Sequence, residues 1–178
     1  MQLDLRLIQW LQLETTAAAC GILERLQILH HRAGVIIQLP NQDLFVDETC
    51  SGIQSLFTLF GLAVLIAVIA RRNWLAALVL FASAAIWAHC LNVVRVVVVV
   101  LARVWWDYDL AIGWPHDVLG YLLVSVSIIC LLSTDRLLLI LTAPMPDTSL
   151  VDEAKIPPLI RGFNWLFRPP WQAMRPLQ

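Results

Sequence analysis

Charge is scarce in this sequence. Only 14% of its 178 residues are Asp, Glu, Lys or Arg, and 60% are hydrophobic. Soluble domains carry about 25% charged and 45–50% apolar residues. Three long stretches have almost no charge at all. Ser51 to Ala70 has none, Asn73 to Val94 has only the neutral His89, and Val118 to Thr134 has none. These runs exclude a soluble single core. They are also too long and unbroken for barrel strands, and inside lipid only helices and closed barrels satisfy their backbone. The net charge is −1, so nothing points to nucleic acid. Cysteine is sparse too. The four, at positions 20, 50, 90 and 130, form no C-x-x-C pair and no Cys/His cluster, so neither a zinc site nor any other metal or cofactor site is expected. A basic start followed by a clean apolar stretch is also missing. Asp4, Arg6, Glu14, Glu24 and Arg25 fall in the first 30 residues, so insertion is expected to be driven by the spans themselves.

What is present reads as an all-α polytopic membrane protein, a bundle of about four transmembrane helices. Residues 3–29 form the first helix. Gln9, Gln12, Glu14 and Glu24 suit it poorly to lipid, so it should pack against the others, with a surface-lying amphipathic helix as the competing reading. Residues 30–49 form a short hairpin-like loop. Val35, Ile37 and Leu39 alternate, Pro40-Asn41-Gln42-Asp43 has turn chemistry, and Leu44 and Val46 alternate again. Helix two spans roughly 51–70. Arg71-Arg72-Asn73 makes a tight turn, and helix three runs from Trp74 to about Arg103. An aromatic loop, 104–116, precedes helix four, which starts near Asp117 and is interrupted by Asp135-Arg136, with 137–143 continuing into the interface. The membrane-embedded unit is therefore 1–143. Residues 144–178 form a Pro- and Trp-rich basic tail.

Basic residues orient the chain. Placing Arg71, Arg72 and the tail in the cytoplasm also gathers Arg6 and Arg136 there, eight of the twelve basic residues in all. Loops 30–49 and 104–116 then both face the extracytoplasmic side of a cell (inner) membrane.

Three polar groups converge on that side. Cys20, Cys90 and Cys130 lie in apolar sequence, where a free Cys behaves as a small hydrophobe. Cys50 lies at the start of helix two, in E-T-C-S-G-I-Q, with Glu48 two residues before it. Ser51 and Gln54 have capping-box spacing, so the helix is expected to begin at Ser51. A thiol at a helix N-terminus feels the positive dipole end, which favours the thiolate. Gly52 leaves room for a substrate backbone. Arg95 lies inside L-N-V-V-R-V-V-V-V-V, where a charge costs about 2.5–3.5 kcal/mol on insertion scales. With Asn92 and His89 at successive turns it makes a polar stripe that must face the bundle. Arg95 is about 32 Å up helix three from Trp74, at the level expected for Cys50. His116 opens helix four in P-H-D-V-L-G. Asp117 could cap that helix or orient the imidazole. Gly120 lies on the same face one turn on, where a glycine implies a close approach by another group. The bland readings are a structural Cys50, an Arg95 snorkelling to the interface and an interfacial His116 without chemistry. Together, a thiol, an imidazole and a guanidinium suffice for acyl transfer.

The elements E-T-C-S-G-I-Q-S-L, N-V-V-R and H-D-V-L-G, in that order, resemble the exosortase/archaeosortase family over about residues 3–143. The resemblance implies a membrane cysteine transpeptidase or protease whose catalytic residues are Cys50, Arg95 and His116. Glu48, Ser51, Gly52, Asn92, Asp117 and Gly120 take supporting places. Its implied partners are exported proteins bearing a C-terminal sorting signal: a short motif, a transmembrane helix and a basic cluster, as in PEP-CTERM proteins. Many members carry Arg where this chain has Gln54, and long members have several helices before the Cys motif. Two other functions fit the residues without the resemblance: acyl transfer to or from lipid by the same Cys and His, and a non-enzymatic scaffold held together by the polar stripe.

Overall fold

The computed structural model describes the backbone of residues 2–40, 42–46, 52–142, 159–160 and 162, and the side chains of all of these but 2–4 and 42. Four helices carry the fold: α1 (Gln2–Arg25), α2 (Ile53–Ile69), α3 (Trp74–Trp106) and α4 (Trp114–Leu141). Between α1 and α2 lie three short strands, β1 (His31–Ala33), β2 (Ile36–Leu39) and β3 (Gln42–Phe45).

α3 is the axis of the molecule. α1, α2 and α4 all pack against it, and α2 also meets α4. Its buried face explains why. Ala76, Leu80, Ala84 and Ala88 recur every fourth residue, and the three small alanines let helix backbones approach closely. Leu59 and Ala63 of α2 and Leu131 of α4 complete this core. Asn73 starts α3, its side chain accepting a 2.7 Å hydrogen bond from the Ala76 amide.

Among the described residues, two helices, α3 with 33 residues and α4 with 28, are long and apolar enough to cross a membrane. α2 is apolar throughout and has 17 residues. α1 is as long as a span but more polar. It packs against α3, as its sequence led one to expect. Three of its polar residues, Gln12, Thr15 and Thr16, are buried, whereas Arg6, Gln9, Glu14, Glu24 and Arg25 are exposed.

The hairpin expected between α1 and α2 is present, with one strand more than its sequence suggested. β2 and β3 pair antiparallel with Leu39 opposite Gln42, and β1 adds to β2 with Ala33 opposite Ile36. Gly34, at φ 68°, makes the two-residue turn that adds β1, a conformation glycine adopts without strain. The strand His31-Arg32-Ala33 is exposed along its length and so has no apolar alternation to announce it. The alternating residues Ile37, Leu39 and Val46 are buried against Ala19, Cys20 and Leu23 of α1 and Val93, Val96, Val97 and Val100 of α3. The sheet thus covers the upper part of α1 and α3.

α4 differs from its sequence reading at both ends. It begins at Trp114, with Pro115 in its first turn and Gly113 at φ 74° before it. It then runs unbroken through Asp135-Arg136 to Leu141. The reason is an ion pair. Arg72, in the α2–α3 turn, holds Asp135 with two hydrogen bonds of 3.0 and 2.7 Å, and both side chains are nearly buried. A carboxylate paired in this way need not end an apolar helix. Beside it, Trp87 Nε1 donates to Thr134 Oγ1 at 3.1 Å. The tail expected over 144–178 lies outside the described residues except for 159–160 and 162.

Candidate active site

The polar stripe of α3 does face the bundle, and its members reach different neighbours. Arg95 reaches α4. Its Nη2 lies 2.8 Å from Nε2 of His116 and 3.4 Å from the His116 carbonyl oxygen. A guanidinium can only donate, so Nε2 is the acceptor. The proton of the neutral ring then belongs on Nδ1, which points at the Leu110 carbonyl oxygen 3.2 Å away. The imidazole is clamped between a cation on one nitrogen and a backbone carbonyl on the other. Asp117, expected to cap the helix or orient this ring, is instead exposed on the first turn of α4. There it complements the helix dipole while Leu110 orients the ring.

Gly120 lies where the glycine pattern placed it. A Cβ there would come 2.9 Å from Arg95 Nη2 and 3.3 Å from its Cζ. The glycine therefore makes the seat for the guanidinium. One turn earlier on α3, Asn92 is buried and meets Gly52 in the same manner: a Cβ on Gly52 would lie 2.9 Å from Asn92 Cγ. Gly52 has φ 76° and is itself the N-cap of α2, so the helix starts at Ile53, later than the capping-box spacing suggested. The left-handed turn at Gly52 sets that start. Glu48, Cys50 and Ser51 lie outside the described residues.

A family model described as transmembrane exosortase matches residues 1–133. The chain belongs to the transmembrane exosortase family. Comparisons with curated proteins and with solved structures give no match. The match covers everything from α1 to late in α4 and so includes all three sequence elements that carried the resemblance.

This exosortase also uses residues that the sequence did not single out. Asn92 Nδ2 donates to Thr15 Oγ1 at 3.3 Å, and Thr15 is fully buried. Next to it, Thr16 donates to the Gln12 carbonyl at 2.7 Å, and Gln12 Nε2 donates to the Val46 carbonyl at 3.3 Å. α1 is thereby tied both to the polar stripe and to the strand end that leads towards the Cys50 segment. The available signal was Thr15-Thr16 side by side in a helix flanked by Leu and Ala. Two adjacent hydroxyls in an apolar stretch of helix need partners. Leu110 could not have been found, because it acts through its carbonyl.

Proposed function

We propose that this chain is an integral-membrane cysteine transpeptidase or protease that cleaves C-terminal sorting signals of exported proteins. The observation that carries the reading is the 2.8 Å contact between Arg95 and His116 in a chain of the transmembrane exosortase family. In this reading all four helices lie in the cell membrane and the site faces its extracytoplasmic side.

The thiolate of Cys50 attacks the carbonyl carbon of the scissile peptide bond. The oxygen takes up negative charge, and Arg95 stabilises it. His116 Nε2 receives the thiol proton and returns it to the leaving nitrogen as the C–N bond breaks. The amine departs with the membrane-embedded segment, and a thioester remains on Cys50. An acceptor nucleophile then takes the acyl group and restores the thiol; with water the outcome is hydrolysis. The Nδ1–H tautomer supports the reading: the Nε2 lone pair accepts from Arg95 at rest and becomes the basic site when Arg95 turns to the oxyanion. The acceptor is an envelope component, and no cofactor is required by this chemistry.

The test is trapping. Cys50→Ala, Arg95→Ala and His116→Ala should each reach the membrane at normal levels and stop processing of a tagged sorting-signal protein. Mass spectrometry of the wild type should find a peptide thioester on Cys50. Continued processing in all three variants would refute the proposal. Acyl transfer to or from lipid is the second reading. It draws on an apolar cavity of about 510 Å³ lined by Trp105, Trp106, Tyr108 and Leu110, beside the carbonyl that holds His116. A fatty-acyl adduct on Cys50 in place of a peptide would decide for it.

A further inference from the structure

α1 and α2 both pack against α3 but, among the described residues, hardly meet each other. The gap between them is a cleft of about 270 Å³. Its walls are Trp10 and Leu11 of α1 and Leu56 and Phe60 of α2, and its upper end is Gly52. Besides the indole N–H of Trp10, two hydrogen-bonding side chains line this otherwise apolar space, Glu14 from α1 and His89 from α3. Glu14 adjoins Thr15, which bonds Asn92, and His89 lies one turn from Asn92 towards the middle of α3. The cleft therefore begins beside the polar stripe and runs away from Arg95, along the apolar length of the bundle. From Gly52 to Phe60 it follows roughly 12 Å of α2.

We infer that this cleft is the subsite for the leaving-group side of the substrate. It holds three or four residues directly after the scissile bond in extended form, with Glu14 and His89 hydrogen-bonded to their backbone. The inference rests on the peptidase reading above. The residues that follow the bond under attack must be drawn out of the helix that they begin, and once unwound they expose N–H and C=O groups. In a membrane each such group left without a partner costs several kcal/mol. A carboxyl group and an imidazole in an apolar cleft supply the acceptors and the donor that those groups need. An intact helix satisfies its own backbone and would gain nothing from them, and an acyl chain offers neither donor nor acceptor. The length agrees: roughly 12 Å takes between three and four extended residues at about 3.3 Å each. The direction agrees as well. The membrane segment of the proposed substrate follows the scissile bond, and the cleft leads from the Gly52 level into the apolar part of the bundle.

The test places the photocrosslinker p-benzoylphenylalanine at Phe60 in the full chain, in membranes of cells exporting sorting-signal proteins. Adducts at position 60 and thioesters at Cys50 are sequenced from the same sample. The expected result is one substrate found at both places, with the position-60 peptide starting within four residues after the bond whose acyl half is on Cys50. Lipid at position 60, a segment preceding that bond, or no adduct, alongside a Cys50 peptide thioester, would overturn the subsite and leave the peptidase reading standing. Absence of a peptide thioester would remove both. In the same cells Glu14→Leu should raise KM for processing at least five-fold, with the rate of Cys50 alkylation by iodoacetamide unchanged. Equal KM in the variant and the wild type would also overturn the subsite.

Discussion

Gly120 and Arg95 occupy the same small volume from two helices. A side chain on the glycine would begin 2.9 Å from the guanidinium, which is itself 2.8 Å from the His116 ring. The absence of a side chain on α4 is thus a condition for the Arg95–His116 contact. Gly120→Ala should separate stability from activity. Alanine favours a helix interior over glycine by about 1 kcal/mol, so thermal unfolding in detergent should be unchanged or slightly later. Processing should fall at least ten-fold, because Arg95 has to leave its seat. A variant with full activity would show that the contact is dispensable.

Arg95→Lys keeps the charge but loses the planar guanidinium whose Nη2 meets both the His116 ring nitrogen and its carbonyl. Its kcat should drop about 100-fold, which corresponds to the loss of about 3 kcal/mol expected for one donor at a developing oxyanion. Substrate capture, read as KM, should change little. Single-turnover kinetics on a purified sorting-signal protein would check both.

Thr15 and Asn92 should be energetically coupled. A double-mutant cycle with Thr15→Val and Asn92→Leu, followed by unfolding in detergent, should return about 0.6 kcal/mol and at most about 1.7 kcal/mol, the average and the maximum for interhelical hydrogen bonds in a membrane protein. Thr15→Ser keeps the hydroxyl and should behave as wild type. Additive single effects would break the proposed tie between α1 and the polar stripe.

Arg72 and Asp135 make the complementary case at the other end of the bundle. Removing one partner, in Arg72→Met or Asp135→Leu, leaves the other charge nearly buried and should cost about 3 kcal/mol. The double variant should recover most of that loss. Two single losses that simply add would show the pair to be inert.

Much of this was legible because membrane sequences state their exceptions openly. In an apolar run, Arg95 and Asn92 stand out, and each must face protein. A glycine one turn beyond His116 likewise announced a close neighbour. Helix limits were readable where composition changes sharply, as at Trp74. The rest depended on partners distant in sequence. Asp135 looked like a helix break until Arg72, 63 residues earlier, was found to neutralise it. β1 has no apolar pattern, because it gains only edge hydrogen bonds. Thr15 and the Leu110 carbonyl became site elements through tertiary contact alone.

The Arg72–Asp135 pair also bears on biogenesis. Asp135 lies near the end of the last described helix, so it leaves the ribosome after every residue of α1, α2 and α3. Entering lipid alone, α4 would carry an uncompensated carboxylate, at about 2.5–3.5 kcal/mol on insertion scales for a central position. By then Arg72 is already in place at the turn between two finished helices. The ion pair thus gives α4 a partner that was synthesised before it, at the α2–α3 turn.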